Sequence, residues 1–187
     1  MRLKITKFKS VKSTNDEAIK LIQKYKYTSG LVITDIQTNG RGTMGKKWIS
    51  EKGNIFISTF FKVNFSKIKI QNFLIISAKI VKTILGQYTK KKIIIKKPND
   101  ILIESKKICG ILQEVIEYKN EKFLITGMGI NTFVTPISKE FISTCLKDHT
   151  KKIFKNSIIV ANIKNIYEEI INEFENNNFS RVKNKYI

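Results

Sequence analysis

The residues best suited to chemistry fall in two short windows. Four of nine glycines (Gly40, Gly42, Gly45, Gly53), one of three arginines (Arg41) and the only tryptophan (Trp48) lie within fourteen residues. The second window, Lys96-Lys97-Pro98-Asn99-Asp100, holds one of the two prolines. Glycines admit φ > 0 and let a backbone approach a ligand closely. Their exposed amides, with Arg41, Lys46 and Lys47 alongside, suit an anion such as phosphate. Turns also collect glycine, so a long hairpin loop without a ligand is the plainer reading. Other chemistries drop out. The single histidine, His149, sits in the polar run Lys147-Asp148-His149-Thr150, which argues against a histidine triad or a His-rich zinc site. Cys109 and Cys145 have no metal or redox spacing and make no disulfide framework, so a reducing, cytoplasmic setting is expected. Chemistry must then rest on Lys, Arg, Asp, Glu, backbone amides and added metal, and no structural metal is expected.

The string Gly40-Arg41-Gly42-Thr43-Met44-Gly45-Lys46-Lys47 satisfies GxGxxG, and it satisfies the P-loop pattern up to Lys47, where Ser or Thr is required. Both patterns need a helix directly after the glycines. Here Trp48-Ile49-Ser50-Glu51-Lys52-Gly53 reads as a turn leading into a strand. No acidic residue stands about 20 positions on to hold a ribose; Phe60, Phe61 and Lys62 do. Dinucleotide and P-loop readings are therefore rejected in favour of strand–loop–strand.

The elements that must hold these windows follow from periodicity. Residues 13–26 read as a helix, with Thr14-Asn15-Asp16-Glu17 as a capping box before Ala18, Ile19, Leu21 and Ile22. Leu31 to Ile36 is a β-branched strand. Asn54 to Val63 alternates, placing Ile55, Ile57, Thr59, Phe61 and Val63 on one face. Residues 71–88 have helical spacing. Ile93–Ile95 is a short strand entering the Pro98-Asn99-Asp100 turn. Ile101–Glu104 and Ile108–Ile116 read as a hairpin around Ser105-Lys106-Lys107, and Phe123 to Asn131 as a further strand containing Gly127 and Gly129. Helices are expected near 138–147 and 158–177, and Asn176-Asn177-Asn178 is too short for a linker. One domain, strand-rich in the middle and helical at the end, is expected.

Composition agrees with a folded domain. The chain has 187 residues, 42% of them hydrophobic, enough for a real core. No apolar run approaches the roughly 18 residues of a membrane span. Met1 to Lys12 is basic but has no apolar core, so no secretory signal is expected. The 35 basic and 15 acidic residues give a formal charge of +20. The basic side is 32 Lys against 3 Arg, beside 34 Ile and 16 Asn, all but Arg with A/T-rich codons. Coding bias on a solvated surface is the bland reading; an electrostatic footprint for nucleic acid or an acidic partner is the sharper one.

Five ordered pieces carry a family resemblance: Ser13-Thr14-Asn15; Gln37-x-x-Gly40-Arg41-Gly42-x-x-Gly45-x-x-Trp48; Lys96-x-Pro98-Asn99-Asp100; Lys107-x-x-Gly110-Ile111-Leu112; and Gly127-x-Gly129-x-Asn131. Together they resemble the catalytic domain of biotin protein ligases, from about residue 10 to 135. The resemblance implies an α+β fold, with a mixed, mainly antiparallel central sheet flanked by helices. It implies ATP and Mg²⁺ as cofactors and biotin as substrate. Biotin's carboxylate would attack the α-phosphorus of ATP, giving biotinyl-5′-AMP and pyrophosphate. The acyl group would then move to a lysine of a biotin carboxyl carrier protein. No specific DNA or membrane partner is implied, and a homodimer is a compatible assembly.

Roles carry over by matching position. The resemblance places Lys96 and Arg41 at the reacting carboxylate and α-phosphate. It places Ser13, Thr14, Asn15, Gln37, Gly40, Arg41, Gly42, Lys96 and Gly110 around biotin. It places Arg41, Gly42, Thr43, Trp48, Asn99 and Asn131 around the nucleotide. Asn99 and Asp100 could orient Lys96, contact Mg²⁺ through water, or assist deprotonation of the acceptor amine. Their plainer role is turn capping, as a helix cap is for Ser13 to Asn15, a polar strand end for Gln37 and a buried core position for Trp48.

The departures are informative. Thr43 stands where the family usually has arginine, which implies looser retention of the adenylate unless Lys46 or Lys47 substitutes. Lys97 stands where the family has tryptophan, weakening an aromatic wall. No winged-helix domain is expected before residue 13, and no small C-terminal β-domain is evident, so the expectation is one catalytic domain over 1–187. The nearest rival is a lipoate ligase or octanoyl transferase of the same fold group, which commonly carries a histidine-containing glycine segment. A thioester role for Cys109 fits less well than a small buried strand residue. A basic nucleic-acid-binding module lacks an RRM signature, a zinc framework or a recognition-helix pair.

Overall fold

A computed structural model describes residues 2–64, 69–138, 141–176 and 178–186. Within them, seven strands form one sheet: β1 (Ile5–Phe8), β2 (Ser29–Thr34), β3 (Ile55–Lys62), β4 (Ile93–Lys96), β5 (Asp100–Ile103), β6 (Lys106–Tyr118) and β7 (Glu121–Ile130). Their order is β1-β2-β3-β7-β6-β5-β4. Only the β1–β2 pair is parallel; the others are antiparallel. The mixed, mainly antiparallel sheet is thus as expected.

Helix α1 (Thr14–Gln23) covers one face, where Ala18, Leu21 and Ile22 pack on Val32, Phe60, Phe123 and Ile125. Helices α2 (Ile70–Gly86), α3 (Asn156–Glu175) and α4 (Phe179–Tyr186) share the larger core on the other face. The alternation in β3 is therefore that of two cores. Ile55, Ile57 and Phe61 belong to the larger one, and Phe60 to the smaller. The β5–β6 and β6–β7 turns use paired positive φ, at Glu104-Ser105 and Lys119-Asn120, which matches the twist of the flanking strands. The first turn thus precedes the expected Ser105-Lys106-Lys107, and Lys106 and Lys107 are strand residues.

Several expectations shift. Helix 13–26 ends early at Gln23, and Lys26 takes φ 58 as the chain turns away. The capping box does not form. Ser13 is the extended N-cap and makes no side-chain cap bond. Instead Gln37 Oε1 accepts from the Thr14 backbone N–H at 2.8 Å. In place of a helix over 138–147, the described residues give only a 3₁₀ turn, Leu146–His149; residues 139 and 140 lie outside them. There the chain is instead bonded alongside β6, through Lys107 N–H to Ile142 O and Thr144 N–H to Lys107 O. The last long helix begins at Asn156, and residue 177 of the asparagine run is not described. Reading from the sequence missed β1 and α4. β1 is four residues with a half-exposed pattern, and α4 carries only Val182 and Tyr186 as buried anchors.

Candidate functional site

The register draws the scattered motifs together. One rung crosses six strands: Thr34, Phe56, Gly129, Gly110, Asp100 and Lys96 stand opposite one another in turn. Period-two alternation puts them on the α1 face. The next rung pairs Val32, Ser58, Gly127 and Leu112. Above these rungs lies a cavity of about 410 Å³. Its wall includes Ser13, Thr14, Asn15, Gln37, Arg41, Gly42, Thr43, Lys46, Lys47, Trp48, Lys96, Asn99, Asp100 and Gly110. Sequence positions almost 100 residues apart thus meet in one hollow.

Glycines make the floor. A Cβ on Gly129 would lie 2.3 Å from the Trp48 ring, and one on Gly110 would lie 2.6 Å from it. A Cβ on Gly127 would meet Asn15 Oδ1. The missing side chains therefore hold an indole and an amide against the sheet. Trp48 Nε1 is buried with no hydrogen-bond partner among the described residues. Lys107 Nζ sits 5.4 Å from the Trp48 ring and 4.6 Å from the Phe141 ring, and 2.7 Å from Asp100 Oδ1.

The glycine loop is a small hairpin. Trp48 N–H donates to Gly40 O at 2.8 Å and Gly42 N–H to Lys46 O at 2.7 Å. Thr43–Gly45 is a 3₁₀ turn at its tip, where Met44 has φ 56 and Gly45 φ 74. No helix follows, so the strand–loop–strand reading holds. Exposed Met44 carries a side chain at a positive φ, which leaves the tip strained.

Hydrogen bonds tie α1 to this hairpin. Gln37 Nε2 donates to Ser50 Oγ at 3.1 Å, while its Oε1 takes the Thr14 amide and hydroxyl. Ser58 Oγ lies 2.7 Å from Thr14 Oγ1 and donates to Asn15 Oδ1 at 2.5 Å. Asn15 Nδ2 donates to Glu114 Oε2 at 2.7 Å. Arg41 then donates from Nη1 to Glu114 Oε1 at 2.8 Å, and from Nη2 to Glu114 Oε2 at 2.7 Å and Asp16 Oδ1 at 2.8 Å. The Glu114 hydrogen bonds outweigh burial and raise the Arg41 guanidinium above its usual value, so it stays charged.

Two expected site residues lie outside the wall. Gly40 is buried behind it, with no room for a Cβ beside Trp48 O. Asn131 is fully buried. Its Nδ2 donates to Thr144 O, its backbone joins Ile108 and Leu146, and its Oδ1 has no partner among the described residues. Asn99 also has a fastening role, with Nδ2 donating to Ile111 O at 3.0 Å. Lys96 is exposed at the rim. Burial pushes the Cys109 thiol far up, so it stays a protonated, inert core residue.

Sequence reading missed Ser58, Glu114 and Asp16. A signal existed for Glu114, since the period-two series Gly110, Leu112, Glu114 keeps one face. Ser58 is a small polar residue in an apolar strand, directly opposite Gly127.

The arrangement can bind a polar head at the Ser13–Thr14–Gln37 end, which buried Ser58 braces from behind, and an anion near Lys96 and Arg41. A model of the biotin/lipoate A/B protein ligase family matches residues 7–131. The chain is 29% identical over 181 residues to a bifunctional ligase/repressor BirA of Bacillus spizizenii, covering 92% of this chain and 55% of that protein. It is 29% identical over 161 residues to the BirA of Bacillus subtilis, covering 82% and 49%. The chain thus spans about half the length of these curated relatives. Among solved structures, a biotin protein ligase from Aquifex aeolicus in complex with biotin and ATP superposes with a TM-score of 0.76 at 26% identity, covering 98% of this chain and 76% of that one.

Proposed function

The chain belongs to the biotin/lipoate A/B protein ligase family, and on that premise we propose that it is an ATP-dependent biotin protein ligase. Its substrates are biotin, ATP and a lysine of a biotin carboxyl carrier protein. The observation that carries the reading is the cavity's polarity: a hydrogen-bonding network at one end, and cations at the other, over a floor of glycines. A bicyclic urea needs donors and acceptors at a closed end. A carboxylate meeting a polyphosphate needs fixed cations.

In the first step the acyl carboxylate attacks the α-phosphorus, a P–O bond forms and pyrophosphate leaves. Lys96 offsets the repulsion between the two anions, Lys47 extends the cationic rim, and Arg41, neutralised by Glu114 and Asp16, orients the carboxylate by directed hydrogen bonds. Trp48, seated on Gly110 and Gly129, offers an aromatic surface to a base. In the second step the acceptor amine attacks the acyl carbon and AMP leaves. Both steps gain from holding reactants in line, and neither needs a nucleophile from this chain.

Asp100 is the acidic residue of the cavity wall among the described residues. Mg²⁺ takes one or two carboxylates and shares its remaining sites with water and phosphate oxygens; with Lys107 Nζ on Oδ1 at 2.7 Å, Asp100 would offer it the other oxygen, Oδ2. Bound there, the ion would neutralise polyphosphate charge.

The test is incubation with labelled biotin, ATP and Mg²⁺, with and without a carrier domain. Label on the carrier lysine is the expected result. Label only with lipoate or octanoate would overturn biotin as the substrate.

A further inference from the structure

We infer that Glu114 is a positioning residue that sets the Arg41 guanidinium for the acyl substrate, an inference that rests on the ligase reading of this site. Arg41 lies on the glycine hairpin, Asn15 on α1 and Glu114 on β6. One carboxylate joins all three. Its Oε1 takes Arg41 Nη1, and its Oε2 takes both Arg41 Nη2 and Asn15 Nδ2. A planar fork facing a planar fork removes rotamers that a point charge would leave free. The Glu114 side chain is only 25% exposed, so the pair is partly shielded from water.

Electrostatic attraction is not what this group supplies. Asp16 adds a second carboxylate to Arg41 at 2.8 Å, so the three side chains together carry a formal negative charge. Such a trio does not gather an anion by net charge; it gives the one cation a direction. Lys96, with no ion pair among the described residues, supplies the uncompensated charge. Replacing Glu114 by glutamine keeps the shape but turns one acceptor into a donor, which then faces Arg41 or Asn15 donors.

The experiment uses the full chain, wild type and Glu114→Gln, with two readouts. One is biotin-dependent exchange of pyrophosphate with ATP. The other is acrylamide quenching of Trp48, the only tryptophan, which sits at the base of the Arg41 hairpin. The expected result is a KM for biotin raised about tenfold with kcat and the KM for ATP within about threefold, since orientation of a binding group is lost. Quenching of Trp48 should rise about twofold as the hairpin loosens. Glu114→Asp keeps both acceptors and should fall between; it carries the same readouts if Glu114→Gln does not fold. An unchanged KM, or equal losses in kcat and both KM values, would overturn the proposal. Absence of biotin-dependent exchange in the wild type would overturn the ligase reading instead. Quenching would then decide Glu114 alone: a rise supports its hold on the hairpin, and no change refutes it.

Discussion

Strand β7 shows the two faces of the sheet side by side. Leu124, Met128 and Ile130 enter the larger core against α2 and α3. Phe123 and Ile125 begin the other face with similar bulk, but Gly127 and Gly129 continue it with none. One strand thus serves as core on one side and, in its second half, as the floor of a cavity on the other. The core face is stabilised by area, with each buried Ile side chain contributing roughly 1.5–3 kcal/mol. The cavity face gives up such burial, and each strand glycine costs about 0.5–1 kcal/mol relative to alanine. The larger core supports a face whose residues are chosen for space and hydrogen bonding.

This contrast can be broken at several points. Lys96→Ala should have the largest effect, a loss of adenylate formation of about a thousandfold with the melting temperature unchanged, because it removes a fixed cation from the reacting anions. Full exchange activity in that variant would take the chemistry away from the cavity face. Ile80→Ala, fully buried in α2, should behave oppositely. Denaturant titration should show a loss of about 3 kcal/mol, while the remaining folded protein keeps its kcat. Gly129→Ala tests both sides at once. Its Cβ would enter the Trp48 ring, so a destabilisation of about 1–3 kcal/mol is expected, together with weaker ATP binding in titration calorimetry.

Two smaller effects sharpen the contrast. Thr43→Arg at the hairpin tip should slow adenylate release in stopped flow by about tenfold, through one added charge-assisted contact. Release at the wild-type rate would show that Thr43 does not limit retention. Far from the cavity, Glu168 accepts from the Leu3 amide and Lys164 Nζ, both at 2.6 Å. Burial alone would raise its carboxyl, but these partners win and lower it below the usual range. Its contribution is therefore present above the unfolded value of about 4.3 and fades as pH falls through the lower folded value. Glu168→Gln should cost about 1 kcal/mol at neutral pH, and the difference from wild type should vanish in acid.

Much of the fold was legible because periodicity survives in an Ile-rich chain. The strands read over 54–63, 108–116 and 123–131 and the helix read over 71–88 keep their periods strongly enough to be recognised. The failures have physical causes. β1 is short and half exposed, so its parallel pairing with β2 has no local signal. The segment at 141–145 has apolar content but spends its backbone bonds on β6. The capping box failed because Gln37, 23 residues away, reached the first helical amide.

The candidate site divides in the same way. Composition picked out two windows of scarce residue types, the glycine loop with Arg41 and Trp48 and the Lys96–Asp100 turn, and the family resemblance assigned both to one candidate site. Only the tertiary structure decided which of them stand on the cavity wall. It set Gly40 and Asn131 off that wall: Gly40 is packed against Trp48 O and Gln37, and the Asn131 backbone joins Ile108 and Leu146. It brought in Ser58 and Glu114 through register across the sheet, and Asp16 through the packing of α1 beside the Arg41 hairpin. The register of antiparallel strands is a long-range property, and it aligned Lys96, Asp100, Gly110 and Gly129 on one rung.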